Sequence, residues 1–295
     1  MVIPPQISVI IPINDWNFVK NNIQRLLSEK ETKHFKFIFV LDSCNKYAKI
    51  SLNQIILDYE IINFLILSAN FGSAALARNE GLQNVETNWV CFWDSDDLPN
   101  LKNFFELYKN SLGRNINLVV GQMETIYLSD QRVNRKVETN TNSLTALALN
   151  LGFTRILYET KFIKGLFFPN IDLGEDVLFL AKVVSRSPKI LYSSLSVYIY
   201  KNYNWKYRFN DNKTILNLFE LYALLNGDRQ EVKEMEANTF YFLITLKLLL
   251  GITKRVIFRD LKSTLICLFY LQKLIRFKNI YRLISLKGKT NSSLI

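Results

Sequence analysis

The chain has 295 residues, 49% of them hydrophobic and 21% charged, a composition that builds a globular core and excludes a disordered chain. Of the formal net charge of +11, the stretch from Arg229 to Ile295 carries +9, from thirteen Lys/Arg against four Asp/Glu, which leaves about +2 for the first 228 residues. This basicity sits in an apolar-rich tail without a recognised nucleic-acid-binding motif, so no nucleic-acid partner is expected.

In chain order, Ile7 to Pro12 is a β-branched run stopped by proline, a first buried strand. Trp16 to Ser28 shows apolar residues at helical spacing. A second strand runs from Phe35 to Leu41, a helix from Ile50 to Tyr59, and a third strand from Ile61 to Leu67. Gly72 to Gln83 reads as a helix whose small Ala74, Ala75 and Ala77 permit close packing. Trp89-Val90-Cys91-Phe92-Trp93 is a fully apolar fourth strand, and Pro99 suits the first turn of a helix reaching about Leu112. This βαβαβαβ alternation predicts a parallel sheet covered on both faces.

Further on, a strand is expected over Asn117 to Gly121, with Thr125 to Tyr127 as a bent or paired continuation. Gln131 to Asn142 is polar and reads as a loop. Ser143 to Leu151 is a short helix with a serine cap, Asp176 to Val184 another helix, and Ile190 to Tyr200 a strand. From about Thr214 the chain turns helical. Thr239 to Ile252 and Ser263 to Ile275 are apolar but too short to span a bilayer. Their basic flanks fit helices lying on an anionic membrane surface; the same stripes fit packing on the core, and periodicity does not choose. Cys44, Cys91 and Cys267 form neither a disulfide framework nor a metal pattern, which predicts a reducing cytoplasm. Met1-Val2-Ile3-Pro4-Pro5 has no basic region followed by an apolar core, so no signal peptide is expected.

The chemistry concentrates at strand ends. Asp94, Asp96 and Asp97 crowd the C-terminal end of the fourth strand, where ligands bind in open α/β sheets. Crowded carboxylates repel and invite a cation, although a solvated turn with Asp97 capping a helix has the same sequence. Asp42 ends the second strand, Arg78 and Asn79 lie on the helix between, and Glu175-Asp176 opens a later one. That acidic pair equally complements a helix dipole. Together these residues suit a divalent metal holding a diphosphate plus a separate carboxylate base. A P-loop and a dinucleotide fingerprint are both missing, and the lone His34 supports no Ser/His/Asp arrangement.

Four motifs in register carry a resemblance. Ile7 to Pro12, Ala75-Leu76-Ala77-Arg78-Asn79-Glu80-Gly81, Phe92-Trp93-Asp94-Ser95-Asp96-Asp97 and Gly174-Glu175-Asp176 resemble glycosyltransferase family 2. Gly165-Leu166-Phe167-Phe168-Pro169 is similar to its capsule and lipopolysaccharide branch. The resemblance covers roughly residues 5 to 205. It implies a GT-A fold, an α/β architecture with a Rossmann-like mixed sheet covered by helices, over residues 1–210. Residues 211–295 would form a basic, apolar helical extension. It further implies inverting, non-processive transfer of one sugar from a nucleoside-diphosphate sugar, UDP-linked by preference, to a saccharide or lipid-linked acceptor in surface polysaccharide synthesis. The implied location is the cytoplasm, peripheral to the inner face of the plasma membrane.

Carried over by position, Pro12 and Ile13 would line the nucleoside pocket and Asp42 would bond the base. Arg78 would brace the pocket and the acidic loop. Asp94 would face the ribose, Ser95 would join the nucleotide-sugar site, and Asp96 would ligate Mn2+ or Mg2+. Asp176 would be the base, with Glu175 positioning it or the acceptor. Three departures stand out: Asn14-Asp15 replaces the usual Tyr-Asn, Leu41 precedes a single Asp42 where Asp-Asp is common, and the processive Gln-x-x-Arg-Trp signature is missing. The altered nucleoside pocket keeps a second reading open, a catalytically silent GT-A scaffold subunit at the membrane surface.

Overall fold

The computed structural model describes residues 5–129, 132–139, 141–203, 212–231 and 235–256. The first half alternates as expected: β1 (Ile7–Ile13), α1 (Trp16–Leu27), β2 (Phe35–Asp42), α2 (Lys46–Asp58), β3 (Phe64–Ala69), α3 (Ala74–Gln83) and β4 (Trp89–Phe92). Then come β5 (Leu98–Pro99), α4 (Leu101–Ser111), β6 (Leu118–Ser129), β7 (Arg132–Thr139), α5 (Leu144–Leu149), β8 (Ile156–Glu159) and α6 (Thr160–Ile163). The remaining described elements are α7 (Glu175–Ser185), β9 (Ile190–Tyr203), α8 (Asn212–Glu231) and α9 (Met235–Val256).

One mixed sheet runs β3-β2-β1-β4-β8-β6-β9-β5, with β7 hanging on β6. β3, β2, β1 and β4 are mutually parallel, as right-handed β-α-β crossovers require. β8 inserts antiparallel between β4 and β6. Both faces of β1, β2 and β4 are covered, so their successive residues feed two separate cores, while β3 at the edge is only partly buried. Val9, Ile11, Phe37, Phe39 and Cys91 pack with α1, α2 and α4. Ile10, Ile38, Val40, Val90 and Phe92 pack on the other face with α3 and α7. Double burial is why these strands read as unbroken apolar runs.

Local chemistry fixes the helix starts. Asp15, Asn45, Ser73, Asn100 and Ser143 each accept a backbone N–H from the first turn of the helix they precede, satisfying donors that the helix itself leaves open. Gly81 lets α3 lie close on β1, since a Cβ there would come within 2.5 Å of Ile10 Cγ2.

Several expectations are corrected. Pro99 does not open a helix: it pairs with Tyr198 in β5, and Asn100 caps α4. Gln131 to Asn142 is not all loop, because β7 pairs antiparallel with β6 there. Val133 and Val137 are its only apolar residues, too few to mark an alternation. β6 runs unbroken through both short segments expected of it. β8 lacked a sequence signal altogether, being four residues long. Asn45 caps α2, which starts at Lys46, four positions before Ile50, and β3 is shifted toward Ala69.

The helical tail packs on the core as far as it is described. Leu221, Leu225, Phe240, Tyr241 and Ile244 from α8 and α9 join the same buried cluster as Leu178 and Phe179 of α7. Among the described residues no helix is long and apolar enough to cross a membrane. The expected apolar segment Ser263 to Ile275 lies outside the described residues.

Candidate active site

Parallel pairing in the order β2-β1-β4 sets three strand C-termini side by side. There the chain leaves the sheet at Pro12-Ile13-Asn14, at Asp42 and at Asp94-Ser95-Asp96. With Gly72, Ser73, Ala74 and Arg78 they line a cleft of about 220 Å3. All seven residues expected around the nucleotide and metal therefore share one cavity wall. A larger hollow of about 910 Å3 lies at the opposite end of β4, beside Trp89. Its one acidic lining residue, Glu159, is tied to Asn117 and Lys161, so the smaller cleft is the chemically equipped one.

Asp42 is 6% exposed, and its Oδ1 accepts from Phe71 N at 2.7 Å, Gly72 N at 3.0 Å and Ser43 Oγ at 3.1 Å. Three donors on one oxygen fix the orientation of the carboxylate. Leu41, where the family's first Asp is common, is buried in the core.

Arg78 connects the cleft to α7. It is 4% exposed, donates from Nη2 to Asp94 Oδ1 at 2.7 Å and from Nη1 to Glu175 Oε1 at 2.9 Å, and lies over the rings of Phe153 and Phe168. Burial opposes its charge, but Asp94 and then Glu175 outweigh burial and raise its pKa. A guanidinium suits this place because its planar fork serves two carboxylates while its faces rest on aromatic rings. Asn79, one residue on, exchanges two 2.8 Å bonds with the backbone of Phe168 and fixes that ring under Arg78.

Glu175 and Asp176 open α7 directly after Gly174, which has φ +85°. Asp176 is part-buried. Burial, and next the Glu175 carboxylate, push it up to about 6, against the pull of Arg78. A carboxyl with that value is mostly ionised at neutral pH yet basic enough to take a proton.

The acidic loop is held from behind by residues that no motif announced. Asn22 of α1 donates to Ser95 O at 2.8 Å and Asp97 O at 2.6 Å, and accepts from Lys201 Nζ at 3.0 Å. Tyr198 Oη accepts from Asp94 N at 3.0 Å. Asp97 is not a helix cap. It is 1% exposed, and its Oδ1 accepts from Lys201 N of β9 at 2.7 Å. Burial, with Asp94 next, drives its carboxyl well up. Asn22 sits on the polar side of an amphipathic helix, where sequence alone reads solvent.

Among the described residues no group of three or more His, Cys, Asp or Glu is arranged to hold a metal. A hard cation at such a cleft would take one or two carboxylates and fill its remaining sites from phosphate oxygens and water. Asp96, part-buried on the cleft wall, is a carboxylate that could hold such an ion.

Comparison with known proteins gives the family and the fold. The family model described as "Glycosyl transferase family 2" matches residues 8–171, more than half of the chain, which belongs to that family. It is similar to glycosyltransferase GlyA of Streptococcus pneumoniae, at 27% identity over 68% of this chain and 31% of that protein. It is also similar to the poly(ribitol-phosphate) β-N-acetylglucosaminyltransferase TarP of Staphylococcus aureus, at 29% identity over 40% and 36% respectively. The chain thus spans about a third of the length of these two relatives. The crystal structure of S. aureus TarS residues 1–349 with UDP-GlcNAc superposes with TM-score 0.66 at 15% identity, covering 92% of this chain and 81% of that one. The mannosyltransferase PcManGT of Pyrobaculum calidifontis with GDP-Man and Mn2+ gives 0.60 at 10% identity, over 97% and 80%. The fold is GT-A.

Proposed function

We propose that this chain is an inverting, metal-dependent glycosyltransferase. It would move one sugar from a UDP-linked donor to a saccharide or lipid-linked acceptor in surface polysaccharide synthesis. The observation that carries the reading is the Arg78 bridge, which ties Asp94 of the donor cleft to Glu175 beside Asp176 in a single ion-paired unit. The names of its relatives support the donor class, since TarS was crystallised with UDP-GlcNAc and TarP is an N-acetylglucosaminyltransferase. The acceptor class rests on TarP's poly(ribitol-phosphate). A cytoplasmic site of action, peripheral to the membrane, follows from the same reading.

In this mechanism Pro12 and Ile13 contact the base, and Asp42 accepts a base N–H through Oδ2 while its other oxygen stays locked. Asp94, held by Arg78, accepts from a ribose hydroxyl, with Ser95 beside it. Asp96 would hold Mn2+ or Mg2+, and such a cation would supply positive charge to offset that of the departing diphosphate. The acceptor hydroxyl lies against Asp176, whose carboxylate takes its proton as the oxygen attacks the anomeric carbon. Attack from the face opposite the leaving group inverts the configuration. Glu175, tied to Arg78, fixes the turn that aims Asp176. The missing processive signature supports release after one addition.

Calorimetry with UDP-, GDP- and dTDP-sugars in the presence of Mn2+ tests this, followed by anomeric analysis of the product by NMR. Tightest binding of a UDP-sugar and an inverted linkage are expected. Binding of no nucleotide sugar would sink the enzyme reading in favour of a silent scaffold, and a retained configuration would remove Asp176 as base.

A further inference from the structure

The turn that carries Glu175 and Asp176 is clamped from outside the motif-bearing part of the chain. Gly174 adopts φ +85°, a left-handed conformation without a side-chain cap, and Leu178 N returns to Gly174 O at 3.0 Å. Against this glycine lies Leu221 of α8: a Cβ on residue 174 would come within 2.3 Å of Leu221 Cδ2 and 3.0 Å of its Cδ1. Leu221 is 4% exposed and belongs to the buried cluster that includes Leu178, Phe153 and Phe168. The last two are the rings beneath Arg78.

We propose that Leu221 is a positioning residue, and that α8 with α9 forms a buttress for the Gly174-Glu175-Asp176 turn. A left-handed turn without a cap has little local stabilisation of its own. A branched aliphatic side chain seated on the bare glycine closes the path by which the turn would lift, and so fixes where the Asp176 carboxylate points. The helical extension is thereby part of the catalytic unit. This role rests on Asp176 acting as the base.

Four variants of the full chain test it: Leu221→Ala, Leu221→Met, Gly174→Ala and the double variant Gly174→Ala/Leu221→Ala. Leu52→Ala, a leucine buried at least as deeply on the other face of the sheet in α2, controls for loss of packing. Leu221→Ala is expected to lower kcat by ~10- to 100-fold, as for a displaced catalytic group, with donor affinity unchanged. Leu221→Met should restore most of kcat, and the double variant should lose less than the two single losses combined, because the alanine methyl then escapes the clash with Leu221 and only its strain at φ +85° remains. Leu52→Ala should lower Tm without lowering kcat. The inference is overturned if Leu221→Ala keeps kcat, or if Leu52→Ala loses as much. Hydrogen exchange at Val177 and Leu178 gives a reading independent of any donor or acceptor. Faster exchange is expected in Leu221→Ala and not in Leu52→Ala, and equal exchange overturns the inference even where no transfer is measured. Retention of transfer by Asp176→Asn, with the exchange difference present, would instead reject the base role of Asp176 and leave the buttress standing.

Discussion

Arg78 is a buried cation whose two carboxylate partners come from segments far apart in the chain, Asp94 and Glu175. Arg78→Met should leave both carboxylates facing each other without compensation. Removal of one partner of a buried ion pair destabilises by about 3–5 kcal/mol, measurable by urea denaturation. Because Asp94 and Glu175 remain part exposed at their side chains, the lower end is expected. Asp176 has the opposite sign. Its carboxyl is raised to about 6 in the folded chain, so the ionised form is disfavoured by folding: stability is highest below the unfolded value near 4 and is lost as pH rises through about 6. Asp176→Asn should therefore raise Tm at pH 7.5 by a few degrees, roughly 1 kcal/mol, and this gain should vanish near pH 4. The same substitution should abolish transfer while leaving metal-dependent donor binding intact. In the wild-type chain kcat/KM should fall as pH drops through about 6, as the base is protonated. A pH profile flat from 5 to 8 would exclude this carboxyl as the base.

At the scale of elements, the acidic loop is shaped by α1 and β9 as much as by β4. Asn22 closes two loop carbonyls to the Lys201 side chain. Asn22→Ala removes these bonds from partly buried partners, costing about 1–3 kcal/mol, and should weaken donor binding in the presence of Mn2+ by about tenfold. Asp96→Ala should weaken the same metal-dependent binding, and unchanged affinity would remove it from the cation site. The comparison of the two separates ligand loss from loop loosening: restoring affinity with higher Mn2+ is expected for Asp96→Ala and not for Asn22→Ala.

For the whole molecule, the tail has two parts with different consequences. α8 and α9 bury Leu225, Phe240 and Tyr241 against α7 and its neighbours, so truncation after about Arg208 should expose that cluster and lower Tm sharply. Removal of residues 257–295 deletes eight basic residues against Asp260, and should reduce co-sedimentation with anionic liposomes by a charge-dependent amount, about 1 kcal/mol per basic side chain near the surface. Equal sedimentation with and without that segment would reject a membrane role for it.

Patterning along the chain was enough to read the parallel half of the sheet, because strands buried on both faces must be apolar at every position and their helices must cap locally. It also placed Asp42, Asp94 and Asp96 at strand ends, where parallel register alone brings them to one edge. The polar hairpin strand β7 and the short β8 were not legible, since their place is set by the partners they pair with and not by their own alternation. Nor were Asn22, Tyr198 and Lys201, which carry no motif and act only through contacts 73 to 179 residues away along the chain. Asp97 shows the limit within a single motif: three neighbouring carboxylates look equivalent in sequence, and only the approach of β9 buries one of them. Local sequence determined which residues could do chemistry. Long-range packing decided which carboxylate is buried, which cation joins the cleft to α7, and which leucine packs against Gly174.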